Sequence, residues 1–236
     1  MYRIRNYKAA TGAEVLIYGE IGEADFGVDA GDFYQEVAAL DAPEITFRIN
    51  SYGGDVFAGA AIYNFIRRLP ALTTTTVDGV AASIASVIAM AGDQVTMSQN
   101  SMLMIHNAWT AVQIAGDANT FEESAEEVER MKDTLRAIDT TIVEAYSQRA
   151  NVGQDQLRAW MDQETWFTAS DAVTLGFADS VVDALPAVAA CYVPAGRFKN
   201  TPTHLLEQPA PAPGPQPAPI RSQSRARLEL SRRPRA

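Results

Sequence analysis

Thiol and imidazole side chains are scarce in this 236-residue sequence, which has one cysteine, Cys191, and two histidines, His106 and His204. A single cysteine closes no intramolecular disulfide, and so few soft ligands make up no set with the spacing of a zinc site. Neither a metal nor a cofactor is expected. Long apolar runs are missing too, since none reaches the ~18–20 residues that a membrane-spanning helix needs. The opening MYRIRNYKAATGAEVLIYG carries basic residues but lacks both an apolar stretch of roughly 7–15 residues and a small-residue cleavage site, so a secretory leader is not expected. The expected location is cytoplasmic, with no membrane partner.

What is present is a globular balance, 47% hydrophobic and 20% charged, in a length that suits one domain with residues to spare. The net charge of −10 is unevenly spread. Residues 186–236 hold eight of the 19 Lys and Arg but two of the 29 Asp and Glu, so the body before them is near −16 and the tail near +6. An acidic body argues against a nucleic-acid groove in the folded part. The tail is rich in Pro and Ala (EQPAPAPGPQPAPIRSQSRARLELSRRPRA), which disfavours helix and sheet. The domain boundary is placed near Leu185, with 1–185 folded and 186–236 a basic, disordered tail, read as a solvated end.

Within 1–185 strand-like and helix-like segments alternate, the pattern of an α/β fold. Strands are predicted at Glu14–Tyr18, Glu44–Asn50, Thr73–Val77, Gln94–Met97 and Ser101–Ile105, where β-branched and apolar residues gather. Helices are predicted at Gly31–Leu40, Val56–Leu69, Ser83–Ala91, Gln154–Met161 and Ala169–Leu175. The longest pattern, Phe121–Arg149, repeats Phe121, Ala125, Val128, Met131, Leu135, Ile138, Ile142 and Ala145 every three or four residues, and a helix there is roughly 40 Å long. Such a length suits a helix that projects towards a neighbouring subunit, or one that lies on its own core.

Three segments carry candidate chemistry. A serine nucleophile at neutral pH needs a base to take its proton, and His106, after the apolar MLMI, is the only histidine of the body. In DGVAASIASVIAMAG a strand end, a small-residue turn and an apolar helix surround Ser83. There the unpaired N–H groups and the helix dipole favour an alkoxide or oxyanion, although an ordinary N-capping serine fits the same pattern. In RINSYGGDVFAG a strand ends at Gly53 and Gly54, whose lack of Cβ lets an N–H approach a substrate carbonyl, or simply makes a turn.

Taken together, Asn50-Ser51-Tyr52-Gly53-Gly54, Gly79-Val80-Ala81-Ala82-Ser83 and Met104-Ile105-His106 resemble the ClpP peptidase family, whose pattern is NSxGG, GxAAS and a histidine after a short MIH-type strand. The resemblance runs from about Val15 to Val182. It implies a ClpP/crotonase-like fold of stacked βαβ units with the long helix as a handle between subunits of a homo-oligomeric ring. It also implies a serine endopeptidase in which Ser83 attacks the scissile carbonyl, His106 moves the proton, and the N–H groups of Gly54 and Ile84 form the oxyanion hole. For the acid that orients the histidine, direct alignment gives Glu164, and Asp162 serves if the loop shifts. Tyr52 stands where the family usually has proline. With the ETWFTA segment and the tail, this variant looks most like the head-maturation proteases of tailed phages, which implies scaffold or capsid proteins as substrates and no need for an ATPase. The rival readings are an inactive ring that serves as an assembly platform and a crotonase-type acyl-CoA enzyme. The Ser–His pair argues against both.

Overall fold

Four consecutive threonines and two valines give Leu72–Ala82 its preference for extended backbone, and it forms the central strand of the sheet. The computed structural model describes residues 3–5, 12–22, 28–110, 118–183 and 193–206. In chain order its elements are β1 (Arg3–Arg5), β2 (Ala13–Tyr18), α1 (Ala30–Ala38), β3 (Glu44–Ser51), α2 (Val56–Ile66), β4 (Leu72–Ala82) and α3 (Ile84–Ala89). They continue with β5 (Gln94–Ser98), β6 (Met102–Ile105), α4 (Ala118–Ser147), α5 (Gln154–Asp162), β7 (Thr165–Thr168), α6 (Ala169–Thr174) and β8 (Ser180–Val182). A short 3-10 turn spans Thr203–Leu205.

Among the described residues eight strands form one sheet in the order β1-β2-β3-β4-β5-β8, with β6 beside β4 and β7 beside β6. The pairs from β2 to β5, and β5 with β8, are parallel, as crossovers through helices require. The α/β architecture read from the sequence is the one found. β4 is longer than the predicted Thr73–Val77 because it serves two neighbours. Thr74–Val77 pair with β5, and Val80–Ala82 pair with β6.

The larger core packs helices on the sheet through Phe33, Phe47, Ile62, Ile88, Tyr146 and Phe177, all fully buried. On the opposite face of β4 and β6 a second cluster gathers Val80, Ala82 and Met104 around Val193, Phe198 and Leu205. Residues 193–206 therefore do not belong to a solvated tail. They form a strap that covers this face, and apolar burial there moves the expected boundary at Leu185 towards the C-terminus. The rest of the predicted tail, 184–192 and 207–236, lies outside the described residues.

α4 is buried only at its last turns, through Ile142, Val143, Ala145 and Tyr146. Residues 124–141 contain no buried side chain. Within that exposed stretch Val128, Met131, Leu135 and Ile138 of the predicted stripe are half-buried, whereas Ala125 is exposed. Among the described residues no helix is long and apolar enough to cross a membrane.

Candidate active site

β3, β4 and β6 run parallel and so end at one edge of the sheet, where α/β folds place ligands. Each of the three predicted segments follows one of these ends. The register between β3 and β4 slips after Ile49↔Val77, and Ser51 lies opposite Ala81. Asn50 repairs the gap in the ladder by accepting the Val80 N–H on its side-chain oxygen at 3.1 Å. The slip gives β4 the extra length that carries Ser83 to the rim. Beside it, Arg48 of β3 pairs with the buried Asp78 of β4, which also accepts the Tyr18 hydroxyl at 2.6 Å and so ties β2, β3 and β4 together just before the turn.

Ser83 occupies the N-cap position of α3, yet its side chain caps nothing. Its backbone is left-handed, with φ 56° and ψ −134°, a conformation that costs a non-glycine residue about 1–3 kcal/mol. The Ser83 N–H still donates to Met104 O at 3.1 Å, so the strained residue stays fastened to β6. With this backbone the hydroxyl faces His106, and Ser83 Oγ lies 2.7 Å from His106 Nε2. That contact answers the capping alternative, because the oxygen a capping serine would turn to its helix is turned to the imidazole. The strain also explains why α3 starts at Ile84 rather than at the predicted Ser83.

The glycine loop closes the other side. Ser51 Oγ accepts the Gly53 N–H at 3.1 Å, and Gly53 and Asp55 pair with Ile21 through two backbone bonds of 2.9 Å. A Cβ at Gly53 would lie 2.7 Å from Ser83 Cβ, so only glycine lets the loop approach the serine this closely. The N–H groups of Gly54 and Ile84 meet no protein acceptor among the described residues, and both residues line the cavity that holds Ser83 and His106.

His106 stands between two cavities. One, of about 350 Å³, has an apolar wall of Phe57, Trp109, Met131, Leu135, Ile138 and Phe198. The other, of about 590 Å³, is bounded by the α5–β7 turn and the strap. β7 runs antiparallel to β6 with Thr165 opposite Ile105, which sets Glu164 next to His106. Glu164, at φ 53°, lines the same cavity as His106, and its Oε1 accepts the Asn200 N–H at 2.6 Å. Asp162 accepts from the Asn107 amide at 2.7 Å. Among the described residues neither carboxylate is hydrogen-bonded to the imidazole. Glu164 nevertheless acts on it through its charge.

Burial is the largest influence on His106 and lowers its pKa below the usual 6.5; the Glu164 charge opposes this and the Arg197 charge adds to it. The imidazole is therefore neutral and able to accept a proton at pH 7. The sequence reading missed Arg197 and Phe198, which lie in the segment taken as tail. Their only sequence signal was the break in the Pro/Ala pattern at GRFKN.

Residues 28–184 match the family described as Clp protease. The chain belongs to that family. The ATP-dependent Clp protease proteolytic subunit of Deinococcus radiodurans is 33% identical over 142 residues, covering 59% of this chain and 65% of that subunit. Subunit 1 of the same description from Chlamydia pneumoniae is 31% identical over 140 residues, covering 58% of this chain and 70% of that protein. Subunit 3 from Rhodococcus jostii is 30% identical over 180 residues, covering 74% and 83%. The chain thus spans about two thirds of the first of these relatives and more of the others. The ClpP-like serine peptidase family, and the α/β fold that goes with it, are the ones the sequence motifs implied.

A histidine that acts as a general base must be neutral, so for His106 in that role the depressed pKa predicts an acid limb of kcat/KM below pH 6.5. Arg197→Gln removes a positive charge and moves the limb to higher pH. Glu164→Gln removes a negative one and moves it lower. A pH–rate profile on a fluorogenic peptide checks both signs.

Proposed function

We propose that this chain is a serine endopeptidase in which Ser83 is the nucleophile, His106 the general base and acid, and Glu164 the carboxylate that orients the imidazole. The observation that carries the reading is the 2.7 Å contact between Ser83 Oγ and His106 Nε2, made by a serine whose strained backbone serves no capping role. In acylation Ser83 Oγ bonds to the scissile carbonyl carbon while its proton passes to Nε2. The carbonyl oxygen gains the electron pair and rests against the N–H groups of Gly54 and Ile84, each commonly worth ~3–4 kcal/mol in such a hole. Collapse of this intermediate breaks the C–N bond, and the imidazolium gives its proton to the departing amine. Water, deprotonated by His106, then releases the acyl group and restores the serine.

The apolar wall of the 350 Å³ cavity favours a large apolar side chain next to the cut bond. Peptides with Leu, Met or Phe at that position are expected to be cut at least about tenfold faster than those with Asp, the discrimination that one buried apolar contact supports. A library profiled by mass spectrometry tests it, and equal cutting of acidic sites would contradict the wall as the selecting element.

The working unit is a homo-oligomeric ring, in which the exposed 124–141 stretch of α4 serves as the handle that meets a neighbour. The substrates are scaffold or capsid proteins of an assembling phage head in a bacterial host. Tyr52, the ETWFTA segment and the basic Pro/Ala-rich tail support that choice. Cleavage then requires no ATPase, in contrast to the ATP-dependent relatives. Co-expression with the phage scaffold protein tests this: scaffold cut without ATP supports it, and cutting only with an added ATPase and ATP contradicts it. A platform without activity is the reading to adopt if an assembled ring leaves both scaffold and apolar peptides uncut.

A further inference from the structure

The strap at 193–206 lies outside the segment matched by the Clp protease family, which ends at residue 184. It is nonetheless anchored on both sides of the active site. Phe198 is buried in the second core, and its ring meets the His106 imidazole edge-on, with centroids 5.4 Å apart. Arg197 donates to Glu20 at 2.7 Å and stands over the ring of Tyr52, the residue found where the family usually has proline. Two residues after Phe198, Asn200 grips the acid loop. Its backbone N–H donates to Glu164 Oε1 at 2.6 Å, and its side-chain amide donates to Gln163 O at 2.7 Å.

Glu164 is one of two non-glycine residues with left-handed backbone among those described, the other being Ser83. Such a backbone persists where surrounding contacts fix it. We propose that Asn200 is a positioning residue for the peptidase, holding the Glu164 carboxylate and its strained backbone beside the His106 imidazole. The strap occupies one carboxylate oxygen and leaves the other to act on the imidazole. Phe198 packs the strap into the core next to His106, so the segment that contacts the Glu164 carboxylate also contacts the imidazole. This inference rests on the Ser83–His106–Glu164 reading above.

The charged or titratable groups around His106 are the Ser83 hydroxyl, Glu164 and Arg197. Asp162 is engaged by Asn107, and Asp139 of α4 by the Ala108 N–H at 2.7 Å. Asp55 and Lys199 line the two cavities. Of these, only Glu164 is touched by Asn200.

The test follows the His106 titration by NMR, with His204 as internal control, and the rate at which a fluorophosphonate labels Ser83. Wild type, Asn200→Ala and Asn200→Pro are compared as full chains. Asn200→Pro lacks the N–H and is expected to lower the His106 midpoint and slow labelling roughly tenfold, the size for loss of one hydrogen bond to a charged group. Asn200→Ala loses only the amide grip, melts close to wild type, and is expected to shift both in the same direction by less. In a Glu164→Gln background neither variant moves the midpoint further. An unchanged midpoint and rate in both variants overturns the proposal, as does a shift that persists undiminished with Glu164→Gln. If wild type is not labelled while the midpoints shift as expected, the positioning contact stands and the peptidase reading falls.

Discussion

Ser83→Gly should abolish peptide hydrolysis, by at least about a thousandfold, while leaving the protein as stable as wild type or slightly more so. The loss follows from removing the only atom placed to attack. The gain follows from the backbone, since φ 56° with ψ −134° is open to glycine and strained for serine. Relief of about 1–3 kcal/mol is offset by the 0.5–1 kcal/mol of chain entropy that glycine costs. The remainder raises the melting temperature by a few degrees, at roughly 2–4 °C per kcal/mol for a domain this size. Ser83→Ala removes the same oxygen without relieving the strain, so it should be as inactive but melt lower than Ser83→Gly. Calorimetry on the pair measures the strain net of that chain entropy. Equal melting temperatures would mean that the serine turn stores no more than the roughly 0.5–1 kcal/mol that the glycine entropy offsets.

Gly54→Ala is the second large effect, and it acts through sterics. A Cβ at Gly54 would sit 2.1 Å from the Ile21 carbonyl oxygen and 2.7 Å from the Ile21 nitrogen, at a φ of 150°. These are backbone atoms, fixed by the bonds that join Ile21 to Gly53 and Asp55. The loop must therefore tear away from Ile21, which should cost more than about 3 kcal/mol of stability. The Gly54 N–H leaves the proposed oxyanion position at the same time, and hydrolysis should fall by at least about a hundredfold. Gly153→Ala is the control. Nothing lies within 4 Å of a Cβ there, so stability should stay within about 1 kcal/mol and activity should be unchanged. Denaturant melts and peptide kinetics on both variants check the contrast.

The fold class was readable in the sequence because its elements have local causes, and the serine–histidine pairing was readable through the resemblance of three motifs to the ClpP family. The threonine run makes a strand, the apolar stripe from Met131 to Ile142 makes one helix face, and small residues mark the turn at Ser83. What escaped depends on partners distant in the chain. β7 is four residues, Thr165–Thr168, made a strand by pairing with β6 rather than by any alternation of its own. The length of β4 comes from its two neighbours and from a register slip that Asn50 repairs, none of which shows as periodicity. The strap sits between segments whose composition favours extended, solvated chain, and only Val193, Phe198 and Leu205 betray its burial. Missing it hid Arg197 and Asn200, and with them the groups that surround the acid. The choice of Glu164 over Asp162 rested on alignment. The β6–β7 register sets Glu164 beside His106, and Asp162 is engaged by Asn107.

Labelling of the assembled wild-type protein by a fluorophosphonate, read by intact mass and peptide mapping, decides whether Ser83 is an activated nucleophile. One adduct per chain is expected, on the peptide containing Ser83, with none in Ser83→Ala and strongly slowed labelling in His106→Ala. An unmodified Ser83 in an assembled ring, or an adduct on another residue, would contradict that role for Ser83.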